Sequence, residues 1–162
     1  MKTDMNNLYL SPKSMDYSDL IDYRNICLNN KNYLMAILVT YRIMDISATA
    51  YLNSIECFES WGKGIYADVR DDFINIAGGL LGIDRVGQDK PNFNEKVILI
   101  AMLSDYITPE EVLHVFTVSE LRNRTWIMDG LLIPKEEETC RMIEIADSFI
   151  NKINELKNKN VN

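Results

Sequence analysis

From about Asn32 to Trp61 the chain contains neither glycine nor proline, and that unbroken stretch restricts what it can fold into. Within it Leu34, Ile37, Leu38, Tyr41, Met44, Ala48, Tyr51, Leu52 and Ile55 recur at steps of three and four, which lines them up on one face of a helix. The opening YLMAILVTYRIM has the composition of a buried strand, but strands typically run about 5 to 6 residues. A breaker-free segment several times that length predicts one long central helix, closed by Gly62 and Gly64. An apolar stripe of this kind must be covered, and further helices are the simplest cover.

The flanking sequence supplies them. Ser11 and Pro12 have the form of a cap followed by a first-turn proline, ahead of a helix from about Met15 to Leu28 that carries Tyr17, Leu20, Ile21, Tyr23, Arg24 and Leu28. Asn29 to Lys31 read as a turn. Tyr66, Val69, Phe73, Ile76 and Leu80 mark a third helix over Ile65 to Leu81, ending at Gly82. A polar loop leads to Asn92 and Glu95, which have capping-box spacing before VILIAML and a fourth helix ending near Tyr106. Thr108, Pro109 and Glu111 open a fifth that runs to about Met128. Asp129 and Gly130 break it, and Pro134 with Glu136, Glu137 and Glu138 starts a sixth whose apolar face is Met142, Ile145, Phe149, Ile150, Ile153 and Leu156. The expectation is an all-α, single-domain, up-and-down bundle of about five to six helices over residues 15–158, with a polar segment at 1–14 and a frayed tail at 159–162.

Composition narrows the function. With 162 residues, 47% of them hydrophobic, one core forms without disulfides or metals. Seventeen basic residues against 24 acidic ones leave a net charge of -7, so any nucleic-acid contact must be local. Cys27, Cys57 and Cys140 are odd in number and far apart, which suits a reducing cytoplasm. The N-terminal MKTDMNNLYLSPKS lacks the order of a signal peptide, and no apolar run is read as approaching the ~20 residues that span a bilayer. Glycines at 62, 64, 78, 79 and 82 form no phosphate loop. The single histidine, His114, has only Glu110 and Glu111 near ligand spacing, so neither a metal nor a cofactor is expected.

One segment stands out: Glu120-Leu121-Arg122-Asn123-Arg124-Thr125-Trp126-Ile127-Met128-Asp129-Gly130. Val115, Val118, Arg122 and Trp126 share a helical row, which sets a guanidinium among apolar neighbours where a charge is costly unless paired or functional. Asn123 beside it is a poor helix former. An architectural account pairs Arg122 with Asp45 of the central helix or with Asp129, leaves Trp126 in the core, and treats Met35, Met44, Met102, Met128 and Met142 as core filler.

LRNRTWIMDG resembles the hallmark of the HEPN superfamily, commonly written L-R-N-R-x-x-H-G, whose members include helical toxins, defence ribonucleases and nucleotidyltransferase partners. The long helix upstream and the acidic-start helix downstream are similar to that family's architecture, although the motif itself covers about ten residues. The resemblance implies a homodimer in which Arg122 and Asn123 belong to a catalytic or phosphate-holding site, with Arg124 and Trp126 against RNA. The family's histidine is missing: Ile127, Met128 and Asp129 occupy its allowed positions, and alignment on the glycine puts Asp129 there. Metal-free attack of an RNA 2'-hydroxyl needs a group that titrates near neutral pH. The resemblance therefore implies a catalytically degenerate protein that binds RNA or a protein partner, such as a nucleotidyltransferase-type antitoxin, in a toxin-antitoxin or phage-defence context. A diverged metal-independent ribonuclease using Asp129 or His114 is the alternative. A third possibility comes from FNEKVILIAMLSDYITPEEV and the helix ending in DG, which are similar to mannitol-repressor-like regulators acting through protein contacts.

Overall fold

A computed structural model describes residues 15–57, 66–81, 91–127 and 133–160. These residues form a helical bundle of six helices, with no strand among them: α1 Tyr17–Asn29, α2 Tyr33–Ser54, α3 Tyr66–Leu81, α4 Phe93–Leu103, α5 Pro109–Ile127 and α6 Glu136–Asn160. The Ser11–Pro12 start signal lies outside the described residues. The chain enters α1 through extended Asp16.

Two start signals act as their spacing indicates. At α4 the Asn92 side chain accepts from the Glu95 backbone N–H at 3.1 Å, and Glu95 accepts from the Asn92 backbone N–H at 2.9 Å. Thr108 and Glu111 make the same reciprocal pair at α5. Each satisfies two donors that a helix N-terminus otherwise leaves open. Asn32 caps α2 by accepting from Met35 N–H.

The far end of α2 departs from expectation. It stops at Ser54, well short of Trp61, because Glu56 adopts a left-handed φ of 54°. The Glu56 N–H then bonds the Asn53 carbonyl and the Cys57 N–H bonds the Leu52 carbonyl, each at 3.0 Å. Lys31 ends α1 the same way, with φ 57° and paired bonds from Lys31 to Leu28 and from Asn32 to Cys27. This closure usually employs glycine; here two charged residues take its place. Trp61, Gly62 and Gly64 lie outside the described residues. α6 is also corrected: it runs to Asn160, into the expected tail. Lys157 and Lys159 in its last turn suit the negative helix end, and Lys159 lies 4.0 Å from the centroid of the Tyr106 ring.

The core draws on every helix: Leu20 from α1, Ile37, Ile43 and Leu52 from α2, Phe73 from α3, Val97 and Leu99 from α4, Val115 and Val118 from α5, and Ala146 and Ile153 from α6. α2 lies at the centre, packed on α1, α4, α5 and α6. By length and composition alone it is apolar enough to cross a bilayer, so the expectation that no apolar run approaches that length is corrected. In this fold the apolar length lies against other helices, and ten α2 residues are buried. Its hydroxyls turn back onto its own carbonyls, Thr40 to Ala36, Ser47 to Ile43 and Thr49 to Asp45, so these polar groups need no partner elsewhere.

Candidate functional site

The row predicted on α5 has a clear direction. Val115 and Val118 are buried, and one turn further Arg122 reaches α2, where its Cζ lies 4.9 Å from the centroid of the Tyr41 ring. Stacking of this kind holds a guanidinium in place. Arg122 Nη1 donates to Asn123 Oδ1 at 2.8 Å, so the two motif residues are joined to each other. Asn123 and Arg124 are exposed and Arg122 is half-buried. Asp129 and the Trp126 side chain lie outside the described residues.

Beneath Arg122 the Tyr41 ring is fixed by an edge contact with Phe93 at 4.8 Å, and Phe93 meets Phe149 at 6.3 Å. The Tyr41 phenol is pushed above its ordinary value by burial, against the pull of the Arg122 charge; the Asp45 carboxylate pushes it further up, and a hydrogen bond with Ser119 lowers it. It stays protonated at neutral pH and can donate.

Asp45 has other partners than the expected arginine. Lys96 of α4 donates to Asp45 Oδ1 at 2.6 Å and to Thr49 Oγ1 at 2.9 Å, while Arg42 Nη1 reaches Asp45 Oδ2 at 3.3 Å. The Lys96 side chain is only 14% exposed. Its charge is acceptable there because it is paired and hydrogen-bonded. Arg42, Lys96 and Arg122 thus gather about Tyr41 and Asp45 on the side of the bundle made by α2, α4 and α5. Arg42 and Lys96 carried no motif. Arg42 stands three residues before Asp45 on one helix, a spacing that suggests contact, but Lys96 is 51 positions from Asp45 and no local pattern reveals it.

Another arginine forms a strut between helices. Arg24 of α1 is 8% exposed and clasps Asp147 of α6 through two hydrogen bonds, at 2.6 and 3.3 Å.

His114 lies apart from the Arg122 cluster. With Glu111, Glu144, Ser148 and Lys152 it lines a groove of about 270 Å³ between α5 and α6, and eight residues of helix separate it from Arg122 by about 12 Å along the axis. Glu111 pairs with Lys152 there. The Lys152 hydrogen bond, followed by that from the Thr108 backbone, holds the Glu111 carboxyl below its ordinary range. A second groove, of about 470 Å³ between α3, α4 and α5, is lined by Ile76, Met102, Leu113 and Phe116 among others. No family model, curated protein or solved structure matches the chain.

Proposed function

We propose that this chain is a HEPN-like, non-cleaving RNA-binding domain that holds phosphate on the face formed by α2, α4 and the C-terminal half of α5. The observation that carries the proposal is the half-buried Arg122 guanidinium stacked over Tyr41. Arg42 and Lys96 place two more cations in the same cluster, on a chain whose net charge is -7. Arginine donors match phosphate oxygens two at a time, and local cations are what an acidic protein needs to hold a polyanion. The same cluster is poorly equipped for cleavage. Its phenol is shifted away from neutral pH, its carboxylate is held by two cations, and His114 lies in another groove. Extended by the family resemblance, the proposal includes a homodimer, a cytoplasmic toxin-antitoxin or phage-defence setting, and a nucleotidyltransferase-type antitoxin as protein partner.

The test is fluorescence anisotropy with labelled single-stranded RNA, followed by recovery of the RNA on a denaturing gel. Saturable binding that Arg122→Ala weakens by about tenfold or more, the scale of a charge-assisted hydrogen bond, together with intact RNA, is the expected result. Fragments that disappear with Arg122→Ala would replace the proposal with the diverged ribonuclease. Absence of RNA binding would favour a regulator acting through protein contacts, with the apolar groove beside α3 as the surface to examine.

A further inference from the structure

A large apolar side chain that meets solvent alone needs no explanation, whereas several converging on one concave surface mark a place where something binds. Ile76 of α3, 46% exposed, and Leu113 of α5, 58% exposed, both line the groove of about 470 Å³. α3 and α5 each pack on α4, which contributes Met102 between them, and Phe116 continues the α5 wall. That wall runs from Pro109 through Leu113 to Phe116, about 10 Å along the axis, or two turns of helix.

The rim carries one sign of charge. Asp105 lines the groove, Asp72 precedes Ile76 by one turn and Glu110 precedes Leu113 by three residues, so each stands beside an apolar wall, and all three are exposed. Neither 71–79 nor 97–117 contains a lysine or an arginine. A second copy meeting this groove across a two-fold axis would set the same carboxylates against themselves, and an anionic lipid surface would be repelled.

We infer that this groove docks a basic amphipathic helix of a partner protein. Apolar side chains at i, i+3, i+4 and i+7 of that helix lie on Ile76, Met102, Leu113 and Phe116, and lysines or arginines flanking the stripe meet Asp72, Asp105 and Glu110. Apolar burial supplies most of the affinity, the charges set encounter rate and partner choice, and unbranched Met102 lets the floor adapt to the side chain above it. The site does not rest on RNA binding at Arg122.

The probe is a labelled synthetic peptide of about four helical turns, with leucines on one face and lysines elsewhere, followed by fluorescence anisotropy. Two controls accompany it, one with glutamate in place of lysine and one of the same composition with the leucine spacing scrambled. The full chain is compared with Leu113→Ser and with Ile26→Ser, whose side chain is 50% exposed on α1, away from the groove; both positions are exposed, so neither variant opens the core. The expected result is saturable binding of the leucine–lysine helix alone, weakened about tenfold by Leu113→Ser and changed less than about twofold by Ile26→Ser. Replacing Asp72 and Asp105 together by asparagine weakens it about threefold at low salt. Equal binding of the scrambled peptide, equal losses from the two serine variants, or equal binding of the glutamate peptide would overturn the inference, as would no binding at all. Light scattering that shows a dimer dissolved by Leu113→Ser would give the groove to a second copy and overturn it as well.

Discussion

Truncating Arg24 to alanine removes a guanidinium wedged between α1 and α6, and its cost follows from the surroundings of the two partners. The arginine side chain is 10% exposed and the Asp147 side chain 45%. Breaking a fully buried pair costs about 3 to 5 kcal/mol because one charge is left stranded. Asp147 is not stranded, since nearly half of it already meets water. What is lost is a charge-assisted bond to a half-hydrated acceptor, about 1 kcal/mol at such exposure, and the burial of the two stem methylenes beyond Cβ, about 1.5 kcal/mol. Arg24 Nε is buried without a hydrogen-bond partner, so deleting it returns part of this. The net loss is about 2 kcal/mol, a melting temperature lower by about 4 to 8 °C for a domain of this size. Arg24→Met refills the stem volume and costs only about 1 kcal/mol. Arg122→Ala loses a partly exposed contact with Tyr41, also about 1 kcal/mol or less. Thermal unfolding followed by circular dichroism ranks the three variants. A melting temperature unchanged by Arg24→Ala, a methionine variant as unstable as the alanine one, or a larger loss at Arg122 would refute the reasoning.

Three other outcomes are expected. Replacing Glu56 or Lys31 by glycine relieves a left-handed conformation that costs other residues about 1 to 2 kcal/mol; after the extra freedom glycine gives the unfolded chain, each variant gains about 0.5 to 1 kcal/mol in urea titration. Glu111, held below its ordinary 4.5 first by Lys152, contributes stability that is present above about pH 4.5 and is lost as pH falls through its lower folded value. Melting curves of wild type and Glu111→Gln therefore keep a constant separation at neutral pH and converge in acid. Cys140 is exposed, whereas Cys57 is buried with its thiol pushed up to about 11 by burial, and burial also raises Cys27. At pH 8 a maleimide should label Cys140 first and reach the other two only with denaturant.

The helices were legible because each rests on a local pattern. The three-and-four spacing on α2, the Asn92–Glu95 box and the Thr108–Glu111 box all lie within a few residues, and their bonds form in the structure. The end of α2 was not, since glycine was the expected stop and Glu56 performs it. Nothing in the type of residue announces that conformation; it is held by the packing of buried Leu52 and Cys57 beside it. At the candidate site the motif pointed to Arg122 and Asn123, which do contact one another. The partners on α2 and α4 were hidden, because Tyr41 looked like one more member of an apolar stripe and Lys96 meets Asp45 only after folding. The two arginines show the same limit. Arg24 sits at the same three-and-four spacing as its apolar neighbours, and so does Arg122, yet one is sealed against α6 and the other half-open. The difference arises from which helices cover each face, information that no short window contains.

The central position of α2 also governs how the native state comes apart. Its amides lie under α1, α4, α5 and α6, so α2 cannot separate without dissolving contacts on four sides. Exchange of those amides with solvent deuterium should track global unfolding. Among the described helices α3 packs chiefly on α4, and Asp71, Asp72, Asn75, Ile76 and Gly79 face outward. Its amides have a cheaper route to solvent, through release of α3 alone. Urea would then shift α2 exchange strongly and α3 exchange weakly, dividing one domain into a slow centre and a fast edge.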